Sequence, residues 1–139
     1  MKDKTDTAII MQLKSDSRQP IRQIAKNIGQ RPSTVHHRIK KLVEDGVIER
    51  FTIKLDNSKS GENFIVFILV STNKIIPNSF FRSMCIKEVF GITGEYDIIM
   101  KCKFRDIEEF NKFVLDFRNY PQINKTLTMI GTLTLKEEV

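Results

Sequence analysis

Through about residue 45, apolar side chains recur at helical spacing; beyond it, most of them alternate with polar ones. Ile9, Ile10 and Leu13 share one face of a first helix, with Asp6 placed to cap it. Residues 15–19 form a polar break. After Pro20, the residues Ile21, Ile24, Ala25 and Ile28 fall on one face at i, i+3, i+4 and i+7, and Gly29 ends this second helix. Pro32 suits the first turn of a third helix over residues 33–45, where Val35, Ile39 and Leu42 make one face, Val43 its edge and Gly46 the terminator.

The pattern then changes. Residues 47–55 are branched and aromatic and read as a strand, followed by a polar hinge at 56–61. Residues 64–70 are apolar on both alternating faces. A break at 73–77 precedes a short helix, capped by Asn78 or Ser79 and running through Ile86. Val89, Phe90 and Ile92 make a short strand ending at Gly94. In the strand at 97–104, Met100, Cys102 and Phe104 share one face and Ile99, Lys101 and Lys103 the other. Asp106 and Glu109 form a capping box for a helix carrying Phe110, Phe113, Val114 and Phe117. A last strand over 126–136 alternates Leu127, Met129, Leu133 and Leu135 with Thr128, Ile130, Thr132 and Thr134.

The expected fold is therefore α+β. A helix-turn-helix unit, winged-helix-like, occupies 1–50. A strand and hinge at 51–61 join it to a ferredoxin-like βαββαβ domain over 62–139. Both helices of that domain cover one sheet face. The other face is apolar, and self-association is the economical way to cover it. An isologous dimer would present two recognition helices to half-sites roughly 34–36 Å apart on duplex DNA.

Charge sharpens this division. Residues 1–55 hold 12 basic and 6 acidic side chains, and residues 56–139 hold 11 of each, so the whole net charge of +6 lies in the first unit. Stepping about 100 degrees per residue puts Ser33, His37, Lys40 and Lys41 on the outward side of the third helix, flanked by Thr34 and His36. That side carries no acid before Glu44. A basic face of mostly short side chains fits a major groove. Ser33, Thr34, His37, Lys40 and Lys41 are the candidates for base contact, and Arg22, Arg31, Arg38 and Lys54 for phosphate.

Other chemistry finds little support. His36 and His37 diverge by about 100 degrees on a helix and have no cysteine near them in sequence, so no metal site is expected. No histidine follows His37 to serve a conventional nucleophile, and residues 91–94 lack the Lys-Ser/Thr of a phosphate loop. Neither an enzyme nor a cofactor is expected. Cys85 and Cys102 read as small buried hydrophobes. The longest apolar run, 64–70, is too short to span a bilayer, so a reduced cytoplasmic protein without membrane contact is expected.

The chain resembles the Lrp/AsnC (leucine-responsive, feast/famine) family of transcription factors over nearly its full length. The resemblance rests on Asp6–Leu13, Arg18, Ile24-Ala25 and Gly29, and is densest over Ser33–Leu42 and Gly46-Val47-Ile48. It continues in Gly94-Glu95-Tyr96-Asp97, Phe113, Ile123–Thr126 and Thr128. It implies dimers that assemble into tetramers, octamers or hexadecamers, and a small effector, often an amino acid, held between sensing domains. By that analogy Thr93, Gly94, Tyr96, Asp97, Thr126 and Thr128 lie at the effector cleft. Gly94 would bring backbone N–H groups to a carboxylate, and Asp97 would accept from an ammonium group. One departure concerns the third helix. The family commonly has leucine then serine after the glycine closing helix two, where this chain has Gln30 and Arg31. Arg31 cannot cap as a serine would, at a cost of about 0.5–2 kcal/mol. The leading reading is a sequence-specific, metabolite-responsive regulator. A DNA-coating architectural protein, or a metabolite sensor docking on a protein partner, remain the alternatives.

Overall fold

The structure, a computed structural model, describes residues 3–138. It divides into two compact units, one through Ile53 and one from Lys54 to Glu138.

The first unit contains α1 (Lys4–Ser15), α2 (Ile21–Ile28) and α3 (Pro32–Glu44). Asp3, rather than the expected Asp6, caps α1: its Oδ1 accepts from the Asp6 N–H at 2.9 Å. The helix starts five residues before its first buried side chain, Ile9, so Asp6 falls inside the first turn, where a carboxylate still opposes the positive helix end. Ile9, Ile24, Ala25, Val35 and Leu42 are buried at the centre, ringed by Ile10, Leu13, Ile21, Ile28, Ile39 and Ile48. Burial of each large aliphatic side chain contributes about 1.5–3 kcal/mol. Gly29 turns the corner between α2 and α3 with φ 67°, and Gln30 N–H then reaches Ala25 O at 2.9 Å. At the end of α3, Val47 and Ile48 both donate to Leu42 O, which folds Ile48 back onto the core.

The expected strand over 47–55 is absent. Residues 49–56 join no sheet, and Phe51, Ile53 and Leu55 are more than half exposed. Branched and aromatic side chains favour a pleated surface, but without a neighbouring strand they make no ladder. The polar run that follows is a turn, in which Asp56 Oδ1 accepts from the Lys59 N–H at 2.9 Å.

The second unit is an antiparallel sheet of β1 (Phe64–Thr72), β2 (Ile86–Gly91), β3 (Ile98–Phe104) and β4 (Ile123–Ile130), in the order β2-β3-β1-β4. A single α-helix, α4 (Ile107–Arg118), packs on it. The order is that of the expected split βαββαβ unit, with one change. Its first helix is only a 3-10 turn, Asn78–Arg82, preceded by Pro77 and without a side-chain cap. Ile86, expected to end that helix, opens β2 instead. Phe80 fills the space with its ring, whose centroid lies 5.0 Å from that of Phe117 and 4.4 Å from that of Tyr120.

Val66, Ile68 and Val70 of β1, Met100, Cys102 and Phe104 of β3, and Phe110, Val114 and Phe117 of α4 form the core. Burial pushes the Cys102 thiol up to about 12. Asp106 caps α4 as expected, accepting from the Glu109 N–H at 2.9 Å. Glu109 reaches back one residue further than a capping box requires, to the Arg105 N–H at 2.7 Å. The opposite sheet face carries Phe67, Leu69, Phe90, Ile99, Leu127 and Met129 and is left open, with Phe90 59% exposed. The last strand is shorter than expected. It ends at Ile130, and after Gly131 N–H pairs with Ile65 O the chain leaves the sheet, exposing Leu133 and Leu135.

Candidate nucleic-acid interface and effector cluster

Helix α3 gathers the predicted base-reading residues on one surface. Ser33, Thr34, His37, Lys40 and Lys41 line an open concavity of about 610 Å³ together with Arg38, Glu44 and Asp45. Ser33, His37, Lys40 and Lys41 are exposed and Thr34 is half-buried. Lys40 lies 3.7 Å from Glu44, an exposed pair that leaves the ammonium in water. Arg31 occupies the cap position of α3 with no side-chain cap hydrogen bond, and Pro32 follows it. The first-turn N–H groups of Ser33 and Thr34 therefore lack the side-chain acceptor that a serine would supply.

The predicted phosphate contacts are more scattered. Arg22 and Arg31 are exposed on α2 and at the start of α3. Lys54 is exposed but belongs to the second unit. Arg38, also expected at phosphate, has its guanidinium paired with Asp3 and 3.1 Å from Asp6 Oδ1. The Asp6 N–H and the Arg38 guanidinium together hold the Asp3 carboxyl below its usual range. Those two acids lie 35 and 32 residues from Arg38 in sequence, so helical periodicity carried no trace of the contact.

Of the predicted effector residues, Asp97 and Thr126 meet at the Val70–Thr72 end of β1, whereas Thr128 lies opposite Ile68 at mid-strand. Gly94 has φ +113°, a conformation that only glycine adopts readily. Asp97 N–H donates to Val70 O at 2.9 Å, and Asp97 Oδ2 accepts from the Thr72 N–H at 2.7 Å. Asp97 thus ties the start of β3 to the end of β1. Thr126 and Thr128 pair with Val70 and Ile68, and so face the covered side. The Thr128 Oγ1 is buried there with no hydrogen-bond partner. Thr93 is exposed in the loop after β2.

Two residues missed from sequence join this cluster. Lys125 pairs with Glu95 and holds its ammonium 5.1 Å from the Tyr96 ring centroid. The pair raises the Lys125 pKa and lowers that of Glu95. Strand alternation sets Lys125 and Thr126 on opposite faces, a signal available from the sequence; the reach to Glu95, 30 residues away, was not.

These two surfaces, a helix-turn-helix with an exposed basic face and a sheet-and-helix domain with a glycine-shaped loop, match known models in the same order. A winged helix-turn-helix DNA-binding model matches residues 2–49, and an Lrp/AsnC ligand binding domain model matches residues 84–139. An HTH-type transcriptional regulator of Pyrococcus horikoshii is 34% identical, over 99% of this chain and 97% of its own. A second from that organism, FL11, is 36% identical over 97% and 92%. The fold is that of a Neisseria meningitidis transcriptional regulator solved in complex with L-Met, with TM-score 0.92 and 23% identity over 99% of this chain and 94% of that one. The chain belongs to the Lrp/AsnC family of helix-turn-helix transcriptional regulators. Its domains are a DNA-binding helix-turn-helix and a ligand-binding regulatory domain. Among the described residues, no helix is long and apolar enough to cross a membrane.

Proposed function

We propose that the chain works as a dimer, inserts α3 of each protomer into successive major grooves, and adjusts that binding to the concentration of a small amino acid. The observation that carries the reading is the exposed face of α3, where Ser33, Thr34, His37, Lys40 and Lys41 line one surface with acids only at its far end. Short polar side chains there reach base edges, while Arg22 and Arg31 grip the backbone beside them. Lys54 is a further phosphate contact in this reading.

The open sheet face supports the dimer. Phe67, Leu69, Phe90, Ile99, Leu127 and Met129 form a surface that a second copy would remove from water. Tetramers or octamers would follow by association of such dimers. The effector reading draws on the neighbour solved with L-Met. In this chain, Thr93, the Gly94 loop amides, Tyr96 and Thr126 would contact the ligand. Asp97 would offer it the oxygen not used by Thr72, and Thr128 would back the strand. An effector acts only by favouring one assembly or domain arrangement over another. The protein has no catalytic step in this account. It is expected in the cytoplasm, where its DNA lies.

The test is selection of genomic fragments by the purified full-length protein, with and without a panel of amino acids, alongside light scattering. Recovery of a shared palindromic sequence whose enrichment changes with one amino acid is the expected result. Uniform recovery of all fragments, unaltered by every amino acid, would overturn the reading.

A further inference from the structure

Arg38 lies on the recognition helix and lines the same concavity as the base-reading candidates, yet its guanidinium is held by two carboxylates at the start of α1. The two acids differ. The Asp6 side chain is only 18% exposed, whereas that of Asp3 is 49% exposed. Asp3 also divides its oxygens: Oδ1 caps α1 through the Asp6 N–H, and Oδ2 takes Arg38. A guanidinium binds carboxylate and phosphate oxygens through the same planar donors. The exposed carboxylate therefore occupies the ligand position that a DNA backbone would fill.

We propose that Asp3 is a built-in competitor for a DNA phosphate at Arg38: docking duplex displaces its Oδ2, while Asp6 keeps the guanidinium anchored to α1. This rests on the reading of α3 as the DNA interface. Exchange makes Arg38 an inexpensive contact to break and a weak one to gain. The phosphate releases a counterion on binding Arg38, but the liberated Asp3 carboxylate recruits a cation of its own. The net ion release at this contact is close to zero. Arg38 then adds little to binding of arbitrary duplex, which leaves discrimination to the base-reading side chains.

Asp3→Asn isolates the effect, because asparagine caps a helix about as well as aspartate and carries no charge. The full-length protein, D3N, R38A and the double variant would be titrated with a short duplex of arbitrary sequence across a salt series. D3N is expected to bind roughly three- to tenfold tighter at low salt, with a slope of log affinity against log salt steeper by about 0.9. That gain should vanish on the R38A background. Equal affinity and slope for D3N and the parent would overturn the proposal. So would a gain that persists without Arg38, which would be a general charge effect. Absence of duplex binding by every variant at low salt would instead reject the reading of α3 itself. Should R38A lose helical circular dichroism, the D3N affinity and salt slope decide alone.

Discussion

Glu137 Oε1 accepts a hydrogen bond from Lys103 Nζ at 2.7 Å, and its Oε2 lies 2.9 Å from Lys101 Nζ, so one carboxylate of the C-terminal tail bridges two lysines of β3. All three side chains are at most 15% exposed. Glu88 adds a longer contact to Lys101, and Asn57 accepts from Lys103. Glu137 thereby pins the tail to Lys101 and Lys103 of β3 after the chain has left β4.

This bridge makes stability depend on acid. The Lys103 hydrogen bond, with Lys101 beside it, lowers the Glu137 pKa from 4.5 to about 2. A carboxyl depressed in the folded state contributes stability that is present above its ordinary value and lost as pH falls through the folded value. Between about pH 4.5 and pH 2 the protein should lose on the order of 1–3 kcal/mol at this site. Urea titrations at stepped pH check it: Glu137→Gln should be less stable near neutrality and should flatten the acid limb.

Replacing Arg31 by serine separates folding from binding. The change supplies the missing cap of α3 and should stabilise the helical unit by about 0.5–2 kcal/mol. It also removes a cation at the helix entrance, so duplex binding should weaken and its salt slope should fall by about one. Thermal melts and salt-dependent titrations on the same sample read both effects.

Arg22→Ala and His37→Ala should differ in kind. Loss of the arginine charge should weaken binding to all duplexes, most at low salt. Loss of the imidazole should relax preference at one or two positions of the selected sequence, at about 1–3 kcal/mol of discrimination. Competition titrations with single-base variants of the selected site distinguish them.

Gly94→Ala meets open space but not a comfortable backbone, since φ is +113° there. It should destabilise the second unit by about 1–2 kcal/mol. Ile24→Ala, by contrast, empties a fully enclosed position in the first unit and should cost about 2–5 kcal/mol. Calorimetry should show the first change in the sheet domain and the second in the helical one.

Legibility followed periodicity. α2, α3, α4, β1 and β3 were readable because each carries a buried stripe at its own spacing, and Gly29 and Gly46 mark the turns after α2 and α3. Residues 47–55 misled because side-chain preference cannot reveal whether a partner strand is present. Asp3 and Asp6 are both suitable caps, and only the helix start distinguishes them. At the interface, the outward face of α3 was plain from its angular spacing. The commitment of Arg38 to α1, and of Glu95 to Lys125, depends on how distant elements meet, which no local pattern encodes.

The 3-10 turn at Asn78–Arg82 has a kinetic consequence. Where a two-turn helix would have protected its amides, this segment relies on the Phe80, Phe117 and Tyr120 rings, with Phe81 edge-on to Phe80. Backbone protection and side-chain order are therefore uncoupled here. Amides of the turn should exchange with deuterium long before those of β1 and β3, while the Phe80 ring, wedged among its neighbours, still flips slowly on the NMR timescale.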